Sequence, residues 1–311
     1  MLKGLALTPP VIGRISIGRV VERDGKRLPE KDDGFTITTQ IQSKDGWIKH
    51  PLDASLRKSP DQKLRSIPVR LLFDDPDLSF RANYTMFDRS SGRPLCVGDG
   101  QNCRRATSAG FQTLPCPTPM SCTIGIEGHC KPYGRLHVRI GGDDELGCFV
   151  FRTTGFNSIR TLMTRLRYFQ AVSGDKLSCM RLELKLRGKS TALSHRAPIY
   201  YVDLTIPQGS TLADIVREAC EEQERRIDSG LRQDLLEQAA QEGLALGAFE
   251  ESDEEGLAVV EEFYPQDGGS DPLGSGSSAS GEQTSAPHRK ENHALAAKLR
   301  QRNQMVNAKP E

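Results

Sequence analysis

An α+β fold built mostly from antiparallel strands is what the sequence predicts, on three observations. Residues 11–21, 35–41 and 80–87 alternate apolar with polar or small side chains, the period of a half-buried strand. Residues 134–140 and 148–153 flank Gly141-Gly142-Asp143-Asp144, a turn composition that joins neighbouring strands as a hairpin. Ile159, Leu162, Met163, Leu166 and Phe169 then fall at helical spacing on one apolar stripe, with Arg160, Arg165 and Arg167 off it.

The elements follow in order. After the strands at 11–21 and 35–41, residues 66–73 and 80–87 read as two more, separated by the turn formers Asp74-Asp75-Pro76-Asp77. The hairpin of residues 134–153 leads directly into the helix that begins near Asn157, whose stripe reads as core packing. Strands at 180–186 and 200–206 flank a polar loop containing His195. A second helix starts near Thr211, where Thr211-x-x-Asp214 has the form of a capping box, and its pattern extends past Gly230 to about Gln241.

Beyond Phe249 the chain turns acidic and then Gly/Ser-rich, a composition that buries too little apolar surface to offset its ordering entropy. Residues 1–249 are therefore expected to form the folded domain, and 250–311 a disordered tail with a short basic helix near 291–301. An apolar fraction of 36% across 311 residues, below the roughly 45–50% of globular chains, fits that division.

With 42 basic and 41 acidic residues, no global field marks a binder of nucleic acid or acidic substrates. The basic stretches at 58–70 and 152–189 read as solvated faces, and 250–262 is acidic. The N-terminal apolar run is too short for a signal peptide, and no segment reaches the roughly 18 apolar residues of a membrane span. A soluble, cytoplasmic protein is the expectation.

In a reducing compartment, clustered cysteines point to metal more than to disulfides. Five of the eight cysteines follow the arrangement Cys96-x6-Cys103-x12-Cys116-x5-Cys122-x7-Cys130. Zinc takes four tetrahedral ligands and suits thiolates, and a closed set leaves no position open for chemistry. The loop-rich stretch 96–134, dense in Gly and Pro, could build little core of its own, so a structural zinc held by Cys103, Cys116, Cys122 and Cys130 is expected there. Cys96, which directly follows a predicted strand, and His129 remain alternative ligands. Cys148, Cys179 and Cys220 read as small buried hydrophobes.

Catalytic signatures do not occur. The chain has no H-E-x-x-H, G-x-S-x-G or Walker A sequence, and Pro115-Cys116-x5-Cys122 lacks the spacing and the upstream Glu of a zinc deaminase. His50, His137 and His195 read as isolated surface or loop residues.

The order of features also resembles a known family. Gly13-Arg-Ile-Ser-Ile-Gly18, Gly25-Lys-Arg-Leu-Pro29, Phe35-Thr-Ile-Thr38, the cysteine cluster, Cys130-Lys-Pro-Tyr-Gly-Arg-Leu136 and Phe151-Arg-Thr-Thr-Gly-Phe-Asn157 resemble the recombination directionality factors that partner large serine integrases. They are most similar to relatives on bacterial integrative elements, some labelled "hydrolase or metal-binding protein". The resemblance covers roughly residues 8–210. It implies a non-enzymatic protein that binds the integrase and its DNA complex and turns integration toward excision. Two other readings stand beside it: a nucleic-acid-binding zinc protein with Arg104, Arg105, Lys131 and Arg135 on phosphates, and a metal-dependent hydrolase with an open metal position. The oligomeric state is left open.

Overall fold

The computed structural model describes residues 4–264 apart from 24–25, 45, 60, 143–145, 191, 193–195 and 252. The pairing of alternating segments produces one large sheet. Strands β2 (Val11–Arg23) and β3 (Lys26–Ser43) form a long antiparallel hairpin, with β4 (Gly46–Lys49) at its outer edge. On the other side of β2 lie β11 (Cys148–Thr153), β10 (Lys131–Val138), β6 (Phe80–Phe87), β7 (Pro94–Gly98), β8 (Asn102–Thr107) and β9 (Gly110–Pro115), in that order. Every neighbouring pair is antiparallel except β2 and β11, which run parallel.

A second sheet pairs β5 (Ser66–Val69), β12 (Leu182–Lys189) and β13 (Ile199–Thr205), with β12 in the middle. Between β11 and this sheet runs α4 (Phe156–Ser173), which packs on β13. The principal core joins Ile15, Phe35 and Ile37 of the β2–β3 hairpin, Leu136, Phe149 and Phe151, the α4 residues Ile159, Leu162, Leu166 and Phe169, and Leu184 and Leu204 of the second sheet. Each fully buried leucine of that set contributes about 1.5–3 kcal/mol of transfer free energy. Met163, expected on the same stripe, is instead half exposed, because α4 is only half wrapped and position 163 falls at the rim.

Around this frame sit short helices α1 (Pro51–Ser55) and α2 (Pro76–Ser79), each with a Pro in its first turn, capped by His50 Nδ1 and the Asp75 carboxylate. His50 thus has a capping role. Helix α5 (Leu212–Asp228) starts as expected, the Thr211 hydroxyl accepting the Asp214 N–H at 3.2 Å. It does not continue to Gln241. Gly230 adopts φ +83°, Leu231 N–H bonds back to Arg226 O, and a separate α6 (Gln233–Ala245) follows.

Two further expectations are corrected. The stretch 96–134 is not mainly loop: β7, β8 and β9 extend the main sheet as a meander, followed by the single-turn helix α3 (Thr123–Glu127). Nor is the chain beyond Phe249 unstructured from residue 250. The short strand β14 (Gly247–Phe249) pairs with β1 (Gly4–Leu5), and Val259 and Val260 of α7 (Asp253–Phe263), with Tyr264 directly after it, pack against Phe87 and Tyr133. Those apolar side chains in an otherwise acidic run give the segment enough surface to bury. Residues 265–311, with the basic segment near 291–301, lie outside the described residues, as does His195.

Alternation along β10 separates the two faces of the sheet. Leu136 and Val138 enter the principal core, while Tyr133, Arg135 and His137 face the layer formed by residues 250–264. His137 is therefore not a surface residue; it is buried, and its Nδ1 has no hydrogen-bond partner among the described residues. Burial, reinforced by Arg152 and Arg135, lowers its pKa to about 3. The folded protein thus holds a neutral imidazole that the unfolded chain protonates below about pH 6.5, so this group removes stability as pH falls from there toward 3. We predict that His137→Gln, compared with wild type in urea titrations, loses about 2 kcal/mol less between pH 6.5 and pH 5; equal losses would refute the assignment.

Asp203 on β13 carries a buried charge, bonded to Arg165 Nε at 2.9 Å and Arg187 Nε at 2.6 Å. Burial alone would raise its carboxyl, but the two guanidiniums outweigh it and hold it below the ordinary carboxylate range. Both arginines are partly exposed, so Asp203→Ala is expected to cost about 1–3 kcal/mol at neutral pH, between surface and buried pairs. Because the carboxylate's contribution is lost on protonation, the cost in chemical denaturation should shrink as pH falls below about 4.

Candidate metal centre

The five clustered cysteines come together at the edge of the main sheet. Register pairs Cys96 with Arg105 and Gly98 with Cys103, so alternation places Cys96, Cys103 and Arg105 on one face of the β7–β8 hairpin. Cys116 follows β9 and is fixed by its N–H to Gln101 O at 2.8 Å. Gly125 ties the remaining two: its N–H donates to Cys122 Sγ at 3.3 Å, and its carbonyl accepts the Cys130 N–H at 2.8 Å.

Cys96, Cys116, Cys122 and Cys130 line one small cleft of about 10 Å³, together with Tyr84, Met86, Arg105 and Thr118. That is the space of roughly one water molecule. Cys103 is buried beside Cys96 and Met86, with its thiol 3.9 Å from Pro115 O, and does not line the cleft. His129 is exposed, in a left-handed turn at φ +53°, and is also absent from the lining.

The electrostatics are those of crowded thiols. Burial, followed by the neighbouring Cys96, Cys116 and Cys122, pushes the Cys130 thiol up to about 12, and burial with Cys96 raises Cys103 to about 11. Arg105 is raised in turn, chiefly by a bond to Cys96, and its Nη2 lies 3.6 Å from Cys122 Sγ. A divalent cation would reverse the preference for protonated thiols. Among the described residues, no three His, Cys, Asp or Glu side chains converge closely enough to constitute a formed metal site. The donor types fit zinc; the thiols gather around the cleft without closing into a coordination sphere.

The other cysteines behave as hydrophobes: Cys148 and Cys179 are buried, and Cys220 is half-buried on α5. The four cations proposed as a phosphate track do not share a surface. Arg104 is exposed on the opposite face of β8 from Arg105, Lys131 lies over the Tyr264 ring, and Arg135 is buried in an ion pair with Glu250. Strand alternation separates what sequence proximity groups. It also brings in Cys96, set aside in the sequence for its place directly after a predicted strand, since residues 96 and 98 stand across from 105 and 103 on the same face.

A family model described as Gp3-like, recombination directionality factor-like, matches residues 12–207. The chain belongs to this family. The match runs from β2 through β13 and includes all five clustered cysteines, whereas α5, α6, β14 and α7 follow it. No curated protein and no solved structure matches the chain. Among the described residues of this Gp3-like chain, no helix is long and apolar enough to cross a membrane.

The hairpin that carries Cys96 and Cys103 tolerates no side chain at Gly98, where a Cβ would stand 2.8 Å from Cys103 Cβ and 2.9 Å from Cys116 Sγ. Gly98→Val is therefore expected to destabilise the protein by about 1–3 kcal/mol and to speed thiol modification within the cluster. Gly188→Ala, whose Cβ meets only an ordinary 3.4 Å contact, serves as the control in thermal melts and thiol titration.

Proposed function

We propose that the chain is a non-enzymatic, zinc-stabilised regulator of site-specific DNA recombination, which binds a serine integrase complex and favours excision. The observation that carries this reading is the family match over residues 12–207. Zinc is the part supported by the cysteine cleft. Cys116, Cys122 and Cys130 are common to the spacing argument and to the cleft lining. For the fourth ligand, the sequence reading prefers Cys103 because Cys96 directly follows a predicted strand, whereas the cleft lining supports Cys96, and Cys96 is the ligand proposed here. Bound there, zinc would link the β7–β8 hairpin to the turns on either side of α3, where Met86, Cys96 and Cys103 make up a small local core cluster. Four thiolates would leave no open position, which argues against a metal-dependent hydrolase.

Two measurements test the reading. Elemental analysis of protein purified without chelator is expected to give one zinc per chain, lost in Cys96→Ser, Cys116→Ser, Cys122→Ser and Cys130→Ser and kept in Cys103→Ser. Loss in Cys103→Ser and retention in Cys96→Ser would restore the sequence assignment, and absence of zinc throughout would remove the metal. In a reconstituted reaction with its serine integrase, adding the protein should raise recombination between the excision substrates and depress it between the integration substrates. An unchanged direction, with no capture of the integrase, would reject the regulatory role.

A further inference from the structure

Three arginines stand in register across the main sheet, Arg152 on β11, Arg135 on β10 and Arg81 on β6, and Arg14 on the next strand, β2, lies on the same face but offset from that row, opposite Val150. Arg135 is the direct cross-strand partner of both Arg152 and Arg81. Like charges set opposite one another destabilise a sheet, so this row stands only with carboxylates laid across it. Residues 250–264 supply them. Glu250 pairs with Arg81 at 2.8 Å and Arg135 at 3.0 Å, Glu255 with Arg152 at 3.5 Å, and Glu262 with Arg14 at 2.9 Å, while Tyr133 OH donates to Glu251 at 2.9 Å. Glu255, Val259 and Glu262 share a stripe of α7, so its inner surface is both acidic and apolar.

From this we infer that the arginine face of the nine-stranded sheet is a docking surface for an acidic, amphipathic helix of a protein partner, and that the chain's own α7 covers it as an internal surrogate. The arginines lie within the residues matched by the family, and the carboxylates that cover them lie outside. The segment 250–264 contains seven acidic residues and no Lys or Arg, the composition of a mimic for such a partner. Among the described residues no backbone ladder joins α7 to the sheet; ion pairs and the small cluster of Phe87, Tyr133, Val259, Val260 and Tyr264 hold it. Those apolar side chains interleaved with the arginines fit a helix better than a nucleic-acid backbone, which would meet phosphate sites only.

Gly256 provides a lever that touches none of the arginines or cysteines, because a side chain there would collide with the backbone of Gly92. The full chain carrying Gly256→Leu, and separately Glu255→Gln with Glu262→Gln, is titrated against a fluorescent peptide of residues 250–264 and against duplex DNA. The double variant keeps the test available should Gly256→Leu fail to fold. Hydrogen exchange of residues 253–263 reports whether α7 has lifted. The expected result is peptide binding about tenfold or more tighter to the variants than to wild type, weakened by salt and by Arg152→Gln. Equal peptide affinity for wild type and variants, or gain of DNA binding in place of peptide binding, would overturn the inference. Zinc content and recombination direction do not enter either arm, so its failure is distinguishable from failure of the regulatory reading.

Discussion

Two incompatible surfaces meet back to back on β10. On one side Leu136 and Val138 join an apolar core shared with α4 and the second sheet; on the other Tyr133, Arg135 and His137 face a layer of charge. A period of two makes this separation unavoidable for any strand with such a sequence. The consequence is a sheet that must be covered on both faces, by hydrocarbon on one and by carboxylates on the other. Charges buried in this way are held by geometry more than by net energy, since desolvation offsets much of the attraction. The acidic segment 250–264 therefore does for the outer face what α4 does for the inner one, by different chemistry.

The cysteine cluster depends on the same sheet. Its hairpin continues the main sheet from β6 through β7, β8 and β9, so the rigid part of the cleft is strand, and only Cys116, Cys122 and Cys130 come from turns. Little apolar surface is available there beyond Met86, Cys96 and Cys103 and the partly buried residues around them. A local unit with so small a core is the kind that a metal cross-link stabilises most. The proposed zinc and the proposed docking surface meet along β10, which begins directly after Cys130 and carries Tyr133 and Arg135. The family match spans both.

Local patterns carry much of the fold. Alternation in 11–21, 35–41, 80–87, 134–140 and 148–153, the stripe of α4 and the Thr211 cap all correspond to elements found, because each is fixed by neighbours within a few residues. Three features escape such patterns for a shared reason. The meander at 94–115 is short and rich in Gly and Pro, so its local composition resembles loop. The end of α5 at Gly230 depends on whether one residue adopts a left-handed conformation. Helix α7 sits in an acidic run whose partners are more than a hundred residues away in sequence.

By itself, the sequence determined the α+β class, the strand and helix faces, and the presence of five cysteines in one stretch, since periodicity and residue chemistry are local properties. Only the tertiary structure decided that Cys96 lines the cleft and Cys103 does not, that His137 is buried, and that Arg81, Arg135 and Arg152 form a row neutralised by the segment after residue 249. Those are questions of register and of distant burial, and the energy of a charge is set by what surrounds it in space.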